Sequence, residues 1–369
     1  MIQIAALAET MPDVIQLCYG ESDTPTPEFI CRAAYEASLA GHTGYTHTSG
    51  SRDFREAIAA KFFELQGVEC RASQVVGTVG ASAAIFVAAR TCVGPGDNAI
   101  VIAPTYAIFA TNVFMSGGEP RLVPLIRDGD RFRLDMDRLR AAIDSKTRML
   151  IVNSPSNPTG WVISADEQKA LVELARRHDL VILSDEVYER LSFVEPVAPS
   201  IARFDPKMEH VLVINSLSKT YNMTGWRLGW AIGNEKLISL ITKAAEFITS
   251  NAPTPTQQAA IVALRDGEPY VQQVREAYKA RRDLVMRELG SIPGVSLPIP
   301  DGAFYAFPCI EGLHDSTALA RTLVSEARVA LTPGVAFGPS GEGYIRLCFA
   351  ASEKVLGTAL QRFKEFMQK

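Results

Sequence analysis

Four uninterrupted apolar runs punctuate the middle of this sequence: Ala99 to Ile102, Met149 to Val152, Leu180 to Leu183 and Val211 to Ile214. A strand with one face in water alternates apolar and polar residues. These runs do not, so each is expected to be covered on both faces, as in a parallel sheet. The stretches between them carry helical spacing. Ser164 to His178 opens with a capping-box pair, Ser164 and Glu167, and repeats Leu171, Leu174 and Ala175 on one face. A second helix, near Arg52 to Leu65, places Phe54, Ile58, Phe62 and Leu65 on its buried side. This alternation, from about residue 50 to 235, predicts an α/β fold with a mostly parallel central sheet flanked by helices.

Beyond about residue 235 the pattern changes. A proline-rich break at 249–258 leads to a long helical segment at 269–289, then to short strands, Gly302 to Phe307 and Gly343 to Phe349, which predict a smaller α+β unit. With 369 residues, 47% of them hydrophobic, the chain is long enough for about two domains. A net charge of −4 and the lack of any basic run give no electrostatic reason to expect a nucleic-acid or membrane partner. Cysteines 18, 31, 70, 92, 309 and 348 form no C-x-x-C pair and are expected to be reduced, buried thiols. The five histidines make no cluster, so no metal is expected. Without a basic-then-apolar leader or an apolar segment long enough to span a bilayer, the expected location is cytoplasmic.

In an open parallel sheet, functional groups gather beyond the carboxyl ends of the strands. After the run at 75–79 come Gly80, Ala81 and Ser82, small residues at a helix start whose free N–H groups suit a phosphate. Tyr106 follows the next run, and Asn157, in the turn Ser154-Pro155-Ser156-Asn157-Pro158-Thr159-Gly160, follows the one after. Asp185, Glu186 and Tyr188 come next, then Ser216, Ser218, Lys219 and Arg227. Each alone has an ordinary packing explanation. Together, five successive strand ends offer a phosphate cradle, a flat aromatic, an amide, a carboxylate and an amine. A planar, phosphorylated, aldehyde-bearing heterocycle such as pyridoxal phosphate needs that set. Lysine forms the Schiff base, the acid pairs with the ring nitrogen, the aromatic stacks, and arginine with serine holds the phosphate.

These strand ends, with "LCYGESDTPTP", "TGYTHTSGSRDFREAIA", "GTVGASAA", "APTY", "NSPSNPTG", "SDEVY", "NSLSKTYNMTGWRLGW", "DGAFYAF" and "FGPSGEGYIRLCFA", resemble the class I/II aminotransferases, pyridoxal-phosphate enzymes of fold type I. The resemblance runs over essentially the whole chain. It implies a large cofactor-binding domain at 41–250 and a small domain made of 1–40 and 251–369. It also implies that Lys219 carries pyridoxal 5'-phosphate and shuttles the substrate proton, and that Asp185 keeps the ring nitrogen protonated. Asn157 and Tyr188 would hold the phenolic oxygen, and Tyr106 would stack on the ring. Gly80, Ala81, Ser82, Ser216 and Arg227 would bind the phosphate, with Ser218 a further candidate. Tyr45 resembles a tyrosine that reaches the neighbouring subunit's cofactor, implying a homodimer with shared active sites. On the substrate side, Arg346 matches the arginine that grips the α-carboxylate, and Gly20 lets that carboxylate approach the backbone alongside Asn157. Ser22 stands where the family usually has proline, and Ala81 and Ala83 where glycine and glutamine are common.

The expected reaction is amino transfer from an L-amino acid to a 2-oxo acid by a ping-pong cycle. β-Elimination from cysteine conjugates on the same cofactor is an alternative. A non-catalytic ligand-sensing module is a more distant one, disfavoured because the motifs begin near residue 14 and leave no room for a DNA-binding segment ahead of them. No second arginine carries a motif for a side-chain carboxylate. Tyr305, Phe304 and Tyr106 are expected to line a side-chain pocket suited to apolar or aromatic groups.

Overall fold

In the computed structural model, which describes residues 2–368, the four apolar runs lie in four neighbouring strands. Numbered in chain order, the strands of the main sheet are β1 (Val75–Thr78), β2 (Asn98–Ala103), β3 (Glu119–Pro124), β4 (Thr147–Asn153), β5 (Val181–Asp185), β6 (Val211–Ser216) and β7 (Gly229–Ile232). They lie side by side in the order β1-β7-β6-β5-β4-β2-β3. Strands β3, β2, β4, β5 and β6 pair in parallel, whereas β7 runs antiparallel to both of its neighbours. The edge strand β3 holds Pro120 and Pro124 and is the most exposed of the seven, the position that a strand with prolines can occupy.

The apolar runs are continuous because both faces of the sheet are covered. Successive residues of a strand point to opposite sides. Ile100, Ile102, Leu150, Val152, Ile182 and Val213 enter a core beneath the helices Arg52–Gln66, Ala165–His178 and Thr254–Asp266. Val101, Ile151, Leu183, Leu212 and Ile214 enter another, beneath Gly80–Cys92 and Glu235–Thr249. Ser164 and Glu167 cap the Ala165–His178 helix reciprocally, as their spacing predicts. In Arg52–Gln66 the buried stripe is Phe54, Ile58 and Phe62, but Leu65 is only half-buried and Gln66 is inside. Gln66 tolerates that place because its amide donates to Glu189 and to the Ala198 carbonyl, and accepts from the Ser200 N–H.

A third core joins the two ends of the chain. Ile4 and Leu17 pack there with Tyr278, Val285, Phe304, Tyr305, Ile345, Leu347 and Leu356. Ile15–Gln16 pairs in parallel with Val329–Ala330, and Ile345–Cys348 lies between Tyr305–Ala306 and Thr332–Pro333 in a small antiparallel sheet. These strands are shorter than the sequence runs that announced them. The cysteines also differ from expectation. All six are free, but only Cys18 and Cys348 are buried, since Cys31 lies on an exposed helix face and the other three are half-covered. No described helix is long and apolar enough to cross a membrane.

Candidate active site

Beyond the carboxyl ends of β4, β5 and β6 lies a cavity of about 220 Å³. Its wall includes Gly20, Ala81, Ser82, Tyr106, Asn157, Asp185, Tyr188, Ser216, Ser218, Lys219, Arg227 and Arg346. Gly80 stands directly behind Arg227, and Tyr45 lies outside the wall, 90% exposed. A wider depression of about 1150 Å³ near Arg52, Arg55 and Arg71 contains none of these groups. Its arginines are already engaged, Arg52 with Glu56, Arg71 with Glu235 and Arg55 with two carbonyls.

At one end, the turn after β1 brings the start of the Gly80–Cys92 helix against Arg227. Gly80 has φ +77, and a Cβ on it would fall 2.3 Å from Arg227 Nη2, so glycine is required twice over. Arg227 is exposed toward the cavity and anchored by donation from Nη1 to the Thr224 carbonyl at 2.7 Å. Ser216 Oγ accepts from the Ser218 N–H at 3.3 Å. The helix start, the Ser216 hydroxyl and the Arg227 guanidinium thus line one end of the same cavity, a combination whose chemistry suits an anion.

In the middle, Asp185 ends β5 buried, with Oδ1 accepting from the Val187 N–H at 3.2 Å. Burial pushes its carboxyl up to about 7, against the pull of that N–H and of the Lys219 charge. Lys219 Nζ donates to the Gly20 carbonyl at 2.6 Å, and burial pulls its ammonium down to about 8. An amine lowered in this way gives up its proton more readily than a surface lysine, the property that a nucleophile or base needs. Asn153, at the end of β4, donates to the Asp185 carbonyl at 3.0 Å and accepts from the Asn157 N–H at 2.8 Å. Asn157 Oδ1 in turn accepts from Arg346 Nη1 at 3.0 Å.

At the far end, Arg346 is 2% exposed within the strand Ile345–Cys348. Its Nη2 donates to the Cys18 carbonyl at 2.5 Å and to Thr332 Oγ1 at 3.1 Å. Its guanidinium lies 4.6 Å from the Tyr305 ring centre and 4.9 Å from that of Phe337. Tyr305 lines the cavity and Tyr106 stands at its mouth. Phe304, expected beside them, instead turns into the third core and packs edge-on against Tyr188 at 5.4 Å. Phe304 precedes the strand Tyr305–Ala306, and its ring centre lies 4.8 Å from that of Tyr305, so Tyr305 lines the cavity and Phe304 packs behind it.

The raised carboxyl of Asp185 carries a stability consequence. A carboxyl whose folded value, about 7, exceeds its unfolded value, about 3.9, binds more protons in the folded state between them. The cofactor-free protein is therefore expected to lose stability as pH rises from about 4 to 7, by up to about 4 kcal/mol from this group. Asp185→Asn should flatten that slope in denaturant melts of the cofactor-free protein at pH 5 and pH 8. An unchanged slope would rule Asp185 out as its source.

The class I and II aminotransferase family model matches residues 12–363. The chain belongs to the class I and II aminotransferases. It is 35% identical to an aspartate aminotransferase of Bacillus subtilis, over 97% of this chain and 92% of that one. It is 36% identical to aromatic-amino-acid aminotransferase 2 of Thermococcus litoralis, over 98% and 94%. The solved structure of N-succinyldiaminopimelate aminotransferase from Mycobacterium tuberculosis superposes with a TM-score of 0.94 at 34% identity, covering 99% of this chain and 96% of that one. The fold is fold type I, and the chain is an aminotransferase that uses pyridoxal 5'-phosphate to move amino groups between amino acids and 2-oxo acids. The β-eliminating alternative gains no support.

The cavity of this aminotransferase fits that cofactor on its own geometry. A glycine cradle lies against Arg227, a buried carboxyl accepts from a backbone N–H, and a lysine lines the same cavity. Sequence reasoning missed Asn153 and Thr332. Asn153 did leave a signal, an amide closing a buried apolar strand, which is costly unless its hydrogen bonds are met. Thr332 left none, because threonine is ordinary in a strand.

Proposed function

We propose that the residues gathered in the cavity divide the work of amino transfer as follows. The observation that carries the reading is the convergence of Lys219, Asp185 and an anion site on one small cavity. Bound pyridoxal phosphate supplies an aldehyde carbon and an electron-accepting ring. The start of the Gly80–Cys92 helix, with Ala81 and Ser82, joins Ser216 and Arg227 in holding the phosphate. Asp185 keeps a proton on the ring nitrogen. Tyr188 and Asn157 donate toward the phenolic oxygen, and Tyr106 covers the ring from the mouth. Arg346 takes the substrate α-carboxylate with its planar fork, next to the open backbone of Gly20. Lys219 Nζ is the group that bonds the cofactor, and when released it takes the proton from the substrate α-carbon. Borohydride reduction and peptide mass analysis should find the cofactor fixed on Lys219; fixation elsewhere, or none, ends this reading.

We also propose a homodimer in which Tyr45 completes the partner's phosphate site. Tyr45 is 90% exposed, and the segments beside it add further exposed apolar side chains, so that together they form a surface fit to be covered by a second copy. The Glu28–Leu39 helix shows Tyr35 and Leu39 to solvent. The Glu235–Thr249 helix, leading to the Thr254 hydroxyl that donates to the Gly44 carbonyl, shows Phe247 and Ile248. Tyr45→Phe is expected to weaken cofactor retention roughly tenfold, the worth of one hydrogen bond to a charged group. Mixing that variant with Lys219→Ala subunits should restore one full-affinity site per hybrid dimer. Independent sites would show no restoration. The division into domains, 41–250 against 1–40 with 251–369, is part of the same proposal, supported by the third core that joins both chain ends. A cytoplasmic setting is too, supported by six unpaired cysteines.

A further inference from the structure

Tyr305 touches Tyr188, Arg346 and the backbone at Gly20 at once. It is 1% exposed on the short strand Tyr305–Ala306, and its hydroxyl lies 2.9 Å from that of Tyr188. The guanidinium of Arg346 covers its ring. A Cβ on Gly20 would fall 2.2 Å from its Oη, so the N-terminal segment closes directly onto this hydroxyl. Two phenols in contact have two protons, and only one of them can lie between the oxygens. If Tyr188 donated to Tyr305, its proton would be turned away from the cavity. If Tyr305 donates, Tyr188 keeps its own proton free to point inward.

We propose that Tyr305 is a positioning residue that donates to the Tyr188 hydroxyl and so holds the Tyr188 proton toward the phenolic oxygen of the cofactor. The inference rests on the assignment of Tyr188 made above. Burial raises both phenols, but Arg346 is the main opposing influence at Tyr305 and the least of those acting on Tyr188. The cation above the ring therefore makes Tyr305 the better donor. Donation into the Tyr188 oxygen strengthens the donation Tyr188 makes in turn. A stronger donor at the phenolic oxygen stabilises its negative charge and lowers the proton affinity of the nitrogen that joins Lys219 to the cofactor. The charged and titratable groups facing this pair are Asp185, Arg346, Cys348 and Tyr106, and those facing Lys219 are Cys348, Glu21, Arg346 and Arg227. Removing the Tyr305 hydroxyl leaves all of them in place.

The test is a pH titration of the visible absorption of the protein loaded with pyridoxal 5'-phosphate. Tyr305→Phe should raise the apparent pKa by about half a unit to one unit, the size of one neutral hydrogen bond. In a Tyr188→Phe background the same substitution should add nothing, because the relay is already cut. Gly20→Ala, which pushes the Tyr305 hydroxyl aside and keeps it, should move the titration in the same direction and guards against a Tyr305→Phe chain that folds poorly. A wild-type titration in both Tyr305→Phe and Gly20→Ala would overturn the proposal, as would a full shift that persists without the Tyr188 hydroxyl. A wild-type chain that binds no chromophore would overturn the assignment of Lys219 and this inference together.

Discussion

Lys219→Ala is expected to lower kcat/KM for amino transfer by at least about 10⁴-fold, with the fold intact. One side chain serves as both the covalent anchor and the base. Loss of a positioned base alone costs roughly 10² to 10⁴ in rate, and here the anchor goes with it. Stability should change little, because the Lys219 amine makes one hydrogen bond, to the Gly20 carbonyl, and its departure relieves a buried charge. Lys219→Arg should be as inactive as the alanine variant, since a guanidinium keeps the cation but does not release its proton near neutral pH. Steady-state rates with a panel of amino acids and 2-oxo acids, beside a thermal melt, make the comparison. Either variant retaining more than a few per cent of wild-type rate would mean that another group is the base.

Arg346→Lys is expected to cut kcat/KM for amino acids by roughly 30- to 5000-fold, the range for breaking a buried, hydrogen-bonded charge pair. Lysine keeps the charge but loses the planar fork, and the Asn157, Cys18 and Thr332 oxygens would then face an ammonium of the wrong reach. The loss should fall mainly on substrates that carry an α-carboxylate. An amine of similar size without that carboxylate should react at nearly the same low rate in wild type and variant. Equal losses for both substrates would show that Arg346 holds the site together and does not bind substrate.

The inner sheet was legible because each of its strands has two buried faces, so Ile100 through Val213 could be read as runs without any structure. The strand β7 was not, because Gly229 to Ile232 is too short to show a period of its own. β3 was hidden by its two prolines, which argue against a strand except at an edge. The cavity wall was legible wherever a polar residue followed an apolar run, as Asp185 and Lys219 do. Arg346 was legible from its apolar neighbours Ile345 and Leu347. Tyr305 was legible as a pocket residue, but its hydrogen bond to the Tyr188 hydroxyl was not, because a partnership between side chains 117 residues apart leaves no local pattern. Tyr45 needs a second chain for its proposed role. Gln66 displaced Leu65 from the interior because its partners come from residues 189 to 200, far away in sequence.

The antiparallel strand β7 also bears on how the chain acquires its function. Gly229 pairs with Thr78 on one side and with Ser216 on the other, so one row of the sheet aligns the three turns that reach the anion site. The Thr78 turn lies about 150 residues from Gly229 and the Ser216 turn only 13, so the β1–β7 pairing is the one that closes a long loop. Lys219 and Asp185 lie on the β5 and β6 side of that pairing, and the start of the Gly80–Cys92 helix lies on the β1 side. The pairing of β1 with β7 is thus the seam that brings two distant stretches of chain together at one end of the cavity.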